Sequence, residues 1–299
     1  MKLILKALSA LLSCLPLRFA LAMGRALGWV IGSVVRYRRG YAQSALSISF
    51  PEKPAGEIRD ILRRMYGNMG MDFVEMMRLP RLSEAAAREL VSVENVENLK
   101  SAYEQGRGVL ALCGHIGNWE WLATLTPLSG YPLTIIAKSI KNASLQEFWW
   151  GVRQRFGSRV LPAHNSYRPC LKALKNGGII GFMLDQNMTR DEGIYVDFFG
   201  RPACTTPGLA YMAFQSRAPV VPVFICRQPD VRRHVIKILP AIDPPADIEP
   251  ESVRAFTQHC TAVLEQIIRE HPEQWTWIHY RWKTAPWKGP DRSGYQPPC

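Results

Sequence analysis

The sequence predicts an α/β fold: a single domain with a mostly parallel or mixed central sheet flanked by helices, plus an N-terminal membrane-associated helical segment. Three observations carry this expectation. Beyond residue 108, short apolar runs alternate with longer stretches of helical character, the order in which strands pair side by side and helices cover the sheet. The first 36 residues are strongly apolar yet carry scattered basic side chains. Apolar residues make up 47% of the 299 and charged residues 21%, enough core material for a folded body and unlike a disordered chain. The expected organisation is therefore an N-terminal segment over 1–36 and one domain over 37–299.

In the N-terminal segment the charge-free runs are Ala7–Leu17 and Ala26–Val35, interrupted by Arg18 and Arg25. On one continuous helix Arg18, Arg25 and Arg36 fall within about 20° of one another. A narrow basic stripe bordered by apolar residues suits a helix lying in a membrane interface, its arginines reaching towards phosphates. Pro16 is expected to break the segment in two. A tilted spanning helix is an alternative, as is a cleaved signal with Ala20-Leu-Ala22 at its end; Arg18 just before that site argues against the second.

Further along, Ile58, Ile61, Leu62, Met65, Tyr66 and Met69 recur at helical spacing, the mark of a face packed on a core. Val109–Cys113, Leu133–Ala137, Ile179–Met183, Val220–Ile225 and Val235–Leu239 read as strands. Helices are expected near 118–128, 142–156, 168–176, 207–217 and 251–270. Pro/Gly punctuation at 200–208 and 240–250 reads as loops.

Lysine and arginine outnumber acids 37 to 25, for a net charge of +12. An anionic partner is implied: a membrane surface, a phosphorylated lipid, an acidic carrier protein or nucleic acid. Nucleic acid is disfavoured, since no zinc-finger pattern, RNP motif or base-reading basic helix occurs. The seven cysteines are odd in number and irregularly spaced, without C-x-x-C. Reduced thiols are the simplest reading, and no metal site or cofactor is expected.

The stretch Gly108–Glu120 runs from an apolar strand into Gly114-His115, with a helix starting near Asn118, a good cap. His115 then sits on the strand-to-helix loop and Glu120 in the first helical turn. In open α/β sheets that end of the strands is where ligands bind. A histidine there suits general-base work near neutral pH. A carboxylate on its other ring nitrogen would fix the tautomer, a substrate hydroxyl taking the place a serine holds in a triad. The helix N-terminus would stabilise developing negative charge. On spacing alone a satisfied structural histidine is the favoured reading over a catalytic one.

Further blocks change that balance. His115-Ile-Gly-Asn118-Trp-Glu120 resembles the H-x4-(D/E) motif of the lysophospholipid acyltransferase superfamily. The chain as a whole resembles the bacterial lipid A biosynthesis (lauroyl/myristoyl) acyltransferase family. Lys138-Ser-Ile-Lys-Asn142 with Arg153-Gln-Arg-Phe-Gly157 is similar to its K/R-x-x-x-N and R-x-x-x-G block. Gly177–Asn187, ending in Asp185-Gln186-Asn187, is similar to its G-G … D-Q-N strand end. Phe198-Phe-Gly200-Arg201-Pro-Ala, continuing to Thr206-Pro-Gly208-Leu-Ala210, and Glu273-Gln-Trp275-Thr-Trp277 with Arg281-Trp282-Lys283 are similar to its later blocks.

The resemblance implies that a fatty acyl chain passes from a thioester, on acyl-carrier-protein or acyl-CoA, to a lipid hydroxyl without a covalent acyl-enzyme. The reaction would take place at the cytoplasmic face of the bacterial inner membrane, with a lipid A precursor as acceptor. A lysophospholipid, ornithine lipid, glycolipid or aryl polyene is the alternative acceptor. A non-catalytic membrane or carrier-protein module is a further alternative, disfavoured by the joint presence of His115 and Glu120. On this reading His115 is the base and Glu120 orients it. Arg153 contacts an anionic headgroup or phosphopantetheine. Asp185 and Gln186 order the catalytic loop or hold the acceptor, Arg201 and Thr206 contact the acyl donor or form a plain turn, and Asn118 is counted with them among the substrate-binding residues. The alternative for Asp185 and Gln186 is a strand-end cap, and Trp275, Trp277 and Trp282 read as either an interfacial belt or core.

Overall fold

Each of the five apolar runs read as a strand forms one. The computed structural model describes residues 2–284 and 286. Its elements begin with α1 (Lys2–Cys14), α2 (Leu17–Trp29), α3 (Arg39–Ser49), α4 (Ala55–Arg78) and α5 (Glu84–Leu90). The alternating region follows as β1 (Val91–Glu94), α6 (Val96–Tyr103), β2 (Val109–Cys113), α7 (Trp119–Leu125), β3 (Leu133–Ala137) and α8 (Ala143–Arg153). It continues through β4 (Arg159–Pro162), α9 (Tyr167–Lys175), β5 (Ile179–Met183), β6 (Ile194–Asp197), β7 (Pro202–Thr205) and α10 (Gly208–Ser216). The chain closes with β8 (Val220–Arg227), β9 (His234–Ile238) and α11 (Pro250–Glu270).

The central sheet has seven strands in the order β1-β9-β8-β2-β5-β3-β4. Every pairing is parallel except β8 with β9. β2 and β8, in the middle, are buried along their whole length, which is why they read as unbroken apolar runs rather than alternating ones. The stretch 200–208, read as a loop, instead supplies β7, half of an antiparallel hairpin with β6. Phe198 and Phe199 at its turn are buried, in an aromatic cluster with Trp275, Trp277 and Trp282. All three tryptophans are at most 1% exposed, so they form core and not an interfacial belt.

At the N-terminus, Pro16 separates α1 from α2 as expected. The three-arginine stripe does not survive. A π-helical turn at Val30–Val34 ends the helix, and Arg36 lies beyond it with left-handed backbone. α2 presents Ala20, Leu21, Gly24 and Gly28 to the body. The approach to α4 is backbone against backbone: a Cβ on Gly28 would lie 1.9 Å from the Tyr66 carbonyl oxygen, and one on Gly70 would lie 2.0 Å from that of Gly24. No larger residue fits either position without moving the helices apart. The opposite side exposes Phe19, Met23, Leu27, Trp29, Val30 and Val34. The 18 residues Leu17–Val34 are long and apolar enough to cross a bilayer, though they equally suit an interfacial helix.

α4 carries the predicted apolar face inward: Ile58, Ile61, Leu62, Met65 and Tyr66 are at most 2% exposed. Its second half turns towards the carboxyl ends of β2 and β5, where the chemistry-bearing residues gather.

Candidate active site

β2 and β5 are neighbours in parallel register, with Cys113 opposite Met183. His115 and Asp185 each lie two residues past these partners, so the strand pairing itself brings them together across 70 residues of chain. Asp185 Oδ2 accepts the His115 backbone N–H at 2.7 Å and the Trp275 indole N–H at 2.8 Å. Its Oδ1 lies 2.8 Å from the His115 ring Nδ1. A buried carboxylate can only accept here, so the neutral imidazole carries its proton on Nδ1 and leaves Nε2 with its lone pair outward. Gln186 Nε2 donates to that lone pair at 3.2 Å. The His115 side chain is 23% exposed against 2% for Asp185, so Nε2 is the reachable end.

The electrostatics follow from this geometry. Burial opposes a charged His115, but the charge and hydrogen bond of Asp185, with a smaller contribution from Glu120, outweigh it and raise its pKa above 6.5. Burial would likewise push the Asp185 carboxyl up; His115, Trp275 and the His115 backbone N–H hold it well below the usual carboxylate range. A base of raised affinity, held in one tautomer by an ionised partner, is the arrangement that removes a proton from a weakly acidic hydroxyl.

The expected partnership of His115 with Glu120 is corrected here. Glu120, buried in the first turn of α7, faces α8 instead. Arg153 donates to it bidentately, Nε to Oε2 at 2.8 Å and a terminal nitrogen to Oε1 at 2.7 Å, and Trp149 Nε1 donates to Oε1 at 3.3 Å. The carboxylate with the orienting position is Asp185. The motif spacing does bring Glu120 close enough for its charge to act on His115, but its hydrogen bonds go to a cation.

Arg153 is 17% exposed, a half-buried guanidinium beside the histidine. Arg155 donates to the carbonyl oxygens of Pro80 and Leu82, so the two arginines serve different purposes. α8 starts where Asn142 caps it, its Oδ1 accepting the Leu145 N–H at 3.0 Å.

Asn118 occupies the cap position of α7 but makes no side-chain cap bond. Only 2% exposed, it donates to Glu75 Oε2 at 2.8 Å. Where substrate contact was expected, the amide instead points inward to a buried carboxylate. Gln186 is exposed and sits on His115 Nε2. Arg201 stacks over the Trp282 ring at 4.9 Å. Thr206 accepts the Gly208 N–H at 3.1 Å and lines an open cleft of about 550 Å³ with Tyr167, Tyr211 and Phe214.

Two contributors escaped sequence reasoning. Neither reading of Trp275, interfacial belt or core, gives it a polar role, yet its indole holds Asp185. Arg281, fully buried, donates to the carbonyls of Cys204 at 2.9 Å and Gln186 at 3.2 Å, tying the strand end to the β6–β7 hairpin. The ordered closing block signalled both residues, but nothing in it signalled their partners.

Nearly the whole chain resembles known proteins. The family model described as bacterial lipid A biosynthesis acyltransferase matches residues 3–284. A lipid A biosynthesis acyltransferase of Haemophilus influenzae is 24% identical, the alignment covering 90% of this chain and 83% of the relative. A lipid A biosynthesis palmitoleoyltransferase of Escherichia coli K12 is 26% identical over 91% of this chain and 87% of its own. A phosphatidylinositol mannoside acyltransferase of Mycolicibacterium smegmatis is 26% identical over 77% and 74%. A match over nearly the whole chain shows the lineage: the chain is a member of the bacterial lipid A biosynthesis acyltransferase family, an enzyme that transfers acyl groups to lipid substrates.

Proposed function

We propose that this enzyme moves a fatty acyl chain from an acyl-carrier-protein thioester to a hydroxyl of a lipid A precursor, with His115 as general base and Asp185 as its orienting carboxylate. The observation that carries this reading is the His115 ring, with Nδ1 on buried Asp185 and Nε2 on the outer side, met by the exposed Gln186 amide.

The acceptor hydroxyl replaces the Gln186 amide on Nε2. Its oxygen attacks the thioester carbonyl carbon as its proton passes to Nε2. Asp185 stabilises the imidazolium that forms. When the tetrahedral adduct collapses, the carbon–sulfur bond breaks and the imidazolium returns its proton to the departing sulfur. An ester and a free thiol result, and the enzyme ends as it began. The Glu120–Arg153 pair presents a half-buried guanidinium beside His115 that can meet a substrate phosphate in bidentate fashion. An acidic carrier protein matches the charge of +12, although acyl-CoA offers the same thioester. The exposed apolar face of α2 supports membrane association; the cytoplasmic face of the inner membrane is where a soluble donor and a membrane lipid can meet.

A second reading of the acceptor has its own support: the mycobacterial relative is named for a mannoside lipid. Lipid mass spectrometry of a deletion strain tests both. Loss of one acyl chain from lipid A supports the first reading; unchanged lipid A with a loss elsewhere refutes that acceptor and identifies another. Purified His115→Ala, retaining its fold, should lose transfer by at least about 10²-fold, and unchanged activity would overturn the catalytic assignment.

A further inference from the structure

Behind the catalytic loop lies a group of charged side chains that the mechanism does not use. Glu75 on α4 is 2% exposed, Arg227 at the end of β8 is 5% exposed and His234 at the start of β9 is fully buried. Glu75 Oε1 accepts from Arg227 at 2.8 Å and lies 3.1 Å from His234 Nε2. Its Oε2 accepts from Arg227 at 2.6 Å and from Asn118 at 2.8 Å. Both oxygens are saturated. Arg227 also donates to Asp72 Oδ1 at 2.5 Å.

From Arg227 the connections continue through its backbone. Its N–H donates to Gln274 Oε1 at 2.7 Å, and Gln274 Nε2 donates back to its carbonyl at 3.0 Å. The Gln274 carbonyl then accepts the Gly117 N–H at 2.9 Å. The path closes on itself: Gly117, Gln274, Arg227, Glu75, Asn118, and back to Gly117 through the peptide bond. Gly117 stands at φ +56°, where a Cβ would meet the Ile225 carbonyl oxygen at 2.1 Å, so the loop is seated against β8 without slack. Two residues before Gly117 is His115; one after Gln274 is Trp275, the donor to Asp185.

A buried ion cluster alone is weak support for anything beyond fold maintenance. Asn118 adds a second observation. Asparagine at this position is among the best caps a helix can have, yet its amide is turned away from α7 and given to Glu75. A local stabilisation is forgone for one that sets the direction of the loop.

We propose that Glu75 and Arg227 are positioning residues for acyl transfer, acting through Asn118 and Gln274 to hold His115 where its ring meets Asp185. This rests on the reading of His115 as the base. The test compares His115→Ala, Asn118→Ala, Glu75→Gln and the Glu75→Gln/Asn118→Ala pair in the full-length, detergent-solubilised enzyme. Transfer from an acyl-carrier-protein thioester to a lipid A precursor gives kcat and KM. The pH dependence of His115 carbethoxylation, located by mass spectrometry, reads the imidazole without any acceptor.

Asn118→Ala should lower kcat about 10- to 100-fold with KM within about 2-fold, the expected result of a small misplacement of a reacting group. It should also move the His115 titration to lower pH, as the Asp185 bond loosens. The double variant should be no more than about 3-fold below the worse single one, because both changes cut the same path. Should Glu75→Gln fail to fold, Asn118→Ala still decides, since it leaves the Glu75–Arg227–His234 cluster whole. An inactive His115→Ala beside an Asn118→Ala enzyme with wild-type kcat and titration overturns the positioning role alone, as do multiplicative losses in the double variant. An active His115→Ala overturns the catalytic reading beneath it.

Discussion

Asp185→Asn is the sharpest perturbation the site offers, because the two side chains have almost one shape and differ in what they can accept. The carboxylate takes three N–H donors: the His115 backbone and Trp275 indole on Oδ2, and the His115 ring on Oδ1. An asparagine has one acceptor oxygen. If that oxygen turns towards Nδ1, the amide nitrogen faces two buried N–H groups, leaving two unsatisfied donors at about 1–3 kcal/mol each. The opposite orientation keeps two bonds and is favoured. It places the amide NH2 against Nδ1, which must then accept, so the imidazole proton moves to Nε2. The reactive nitrogen becomes a donor and cannot take a proton from the acceptor hydroxyl. Returning to the productive tautomer sets N–H against N–H and forfeits a charged bond, about 3–5 kcal/mol together, or about 10²- to 10⁴-fold in rate. Steady-state transfer with radiolabelled acyl thioester measures this, and the melting temperature should stay within about 5 °C. An Asp185→Asn enzyme within about 3-fold of wild type would refute the tautomer argument.

Four further outcomes follow. The acid limb of kcat/KM should lie above pH 6.5, since the base must be neutral and its pKa is raised; in residual Asp185→Asn activity the limb should shift to lower pH, and a shift upward would contradict the assigned cause. Glu120→Gln should lower transfer about 10- to 100-fold by leaving Arg153 half-buried without its charged partner, and Arg153→Met in that background should cost little more, as a double-mutant cycle would show. Gly28→Ala should destabilise by about 1–3 kcal/mol in chemical denaturation because α2 must leave α4, whereas Gly67→Ala, where a Cβ meets only the Arg25 side chain at 3.5 Å, should be neutral or stabilising by up to about 1 kcal/mol. Replacing Phe19, Met23 and Leu27 together by serine should weaken binding to anionic vesicles by at least about 10²-fold, each apolar side chain contributing about 1.5–3 kcal/mol when buried; unchanged co-sedimentation would show that another surface binds lipid.

The legibility of this fold followed burial. Strands enclosed on both faces announce themselves as apolar runs, and all five were read to within two residues. β1 shows a mostly exposed pattern and β4 exposes both ends, so neither leaves an apolar signature. β7 opens on Pro202 and lies in a four-residue hairpin arm, too short to compete with the turn residues around it. The site divided along the same line. His115 was visible because a strand ran into a glycine and a histidine before a helix. Asp185 also stood out at the end of its strand, but its bond to His115 did not, because neighbouring residues in a parallel sheet are set by strand order, and order is absent from one-dimensional spacing. Glu120 stood five residues away and attracted the assignment; Asp185 stood 70 away and held the bond.

The glycine contact between α2 and α4 has a consequence for acceptor choice. Helices that touch through side chains can slide or rock; helices that touch through main chain have little give. α4 carries Gly67 and Gly70 under α2, and one to two turns later Glu75 under the loop that bears His115. With the apolar side of α2 in a bilayer, the imidazole stands at a set height above the lipid surface, as a tool clamped to its own depth gauge. Acceptors would then be sorted first by how far their hydroxyl stands from the acyl boundary, and only afterwards by the chemistry of the group that bears it.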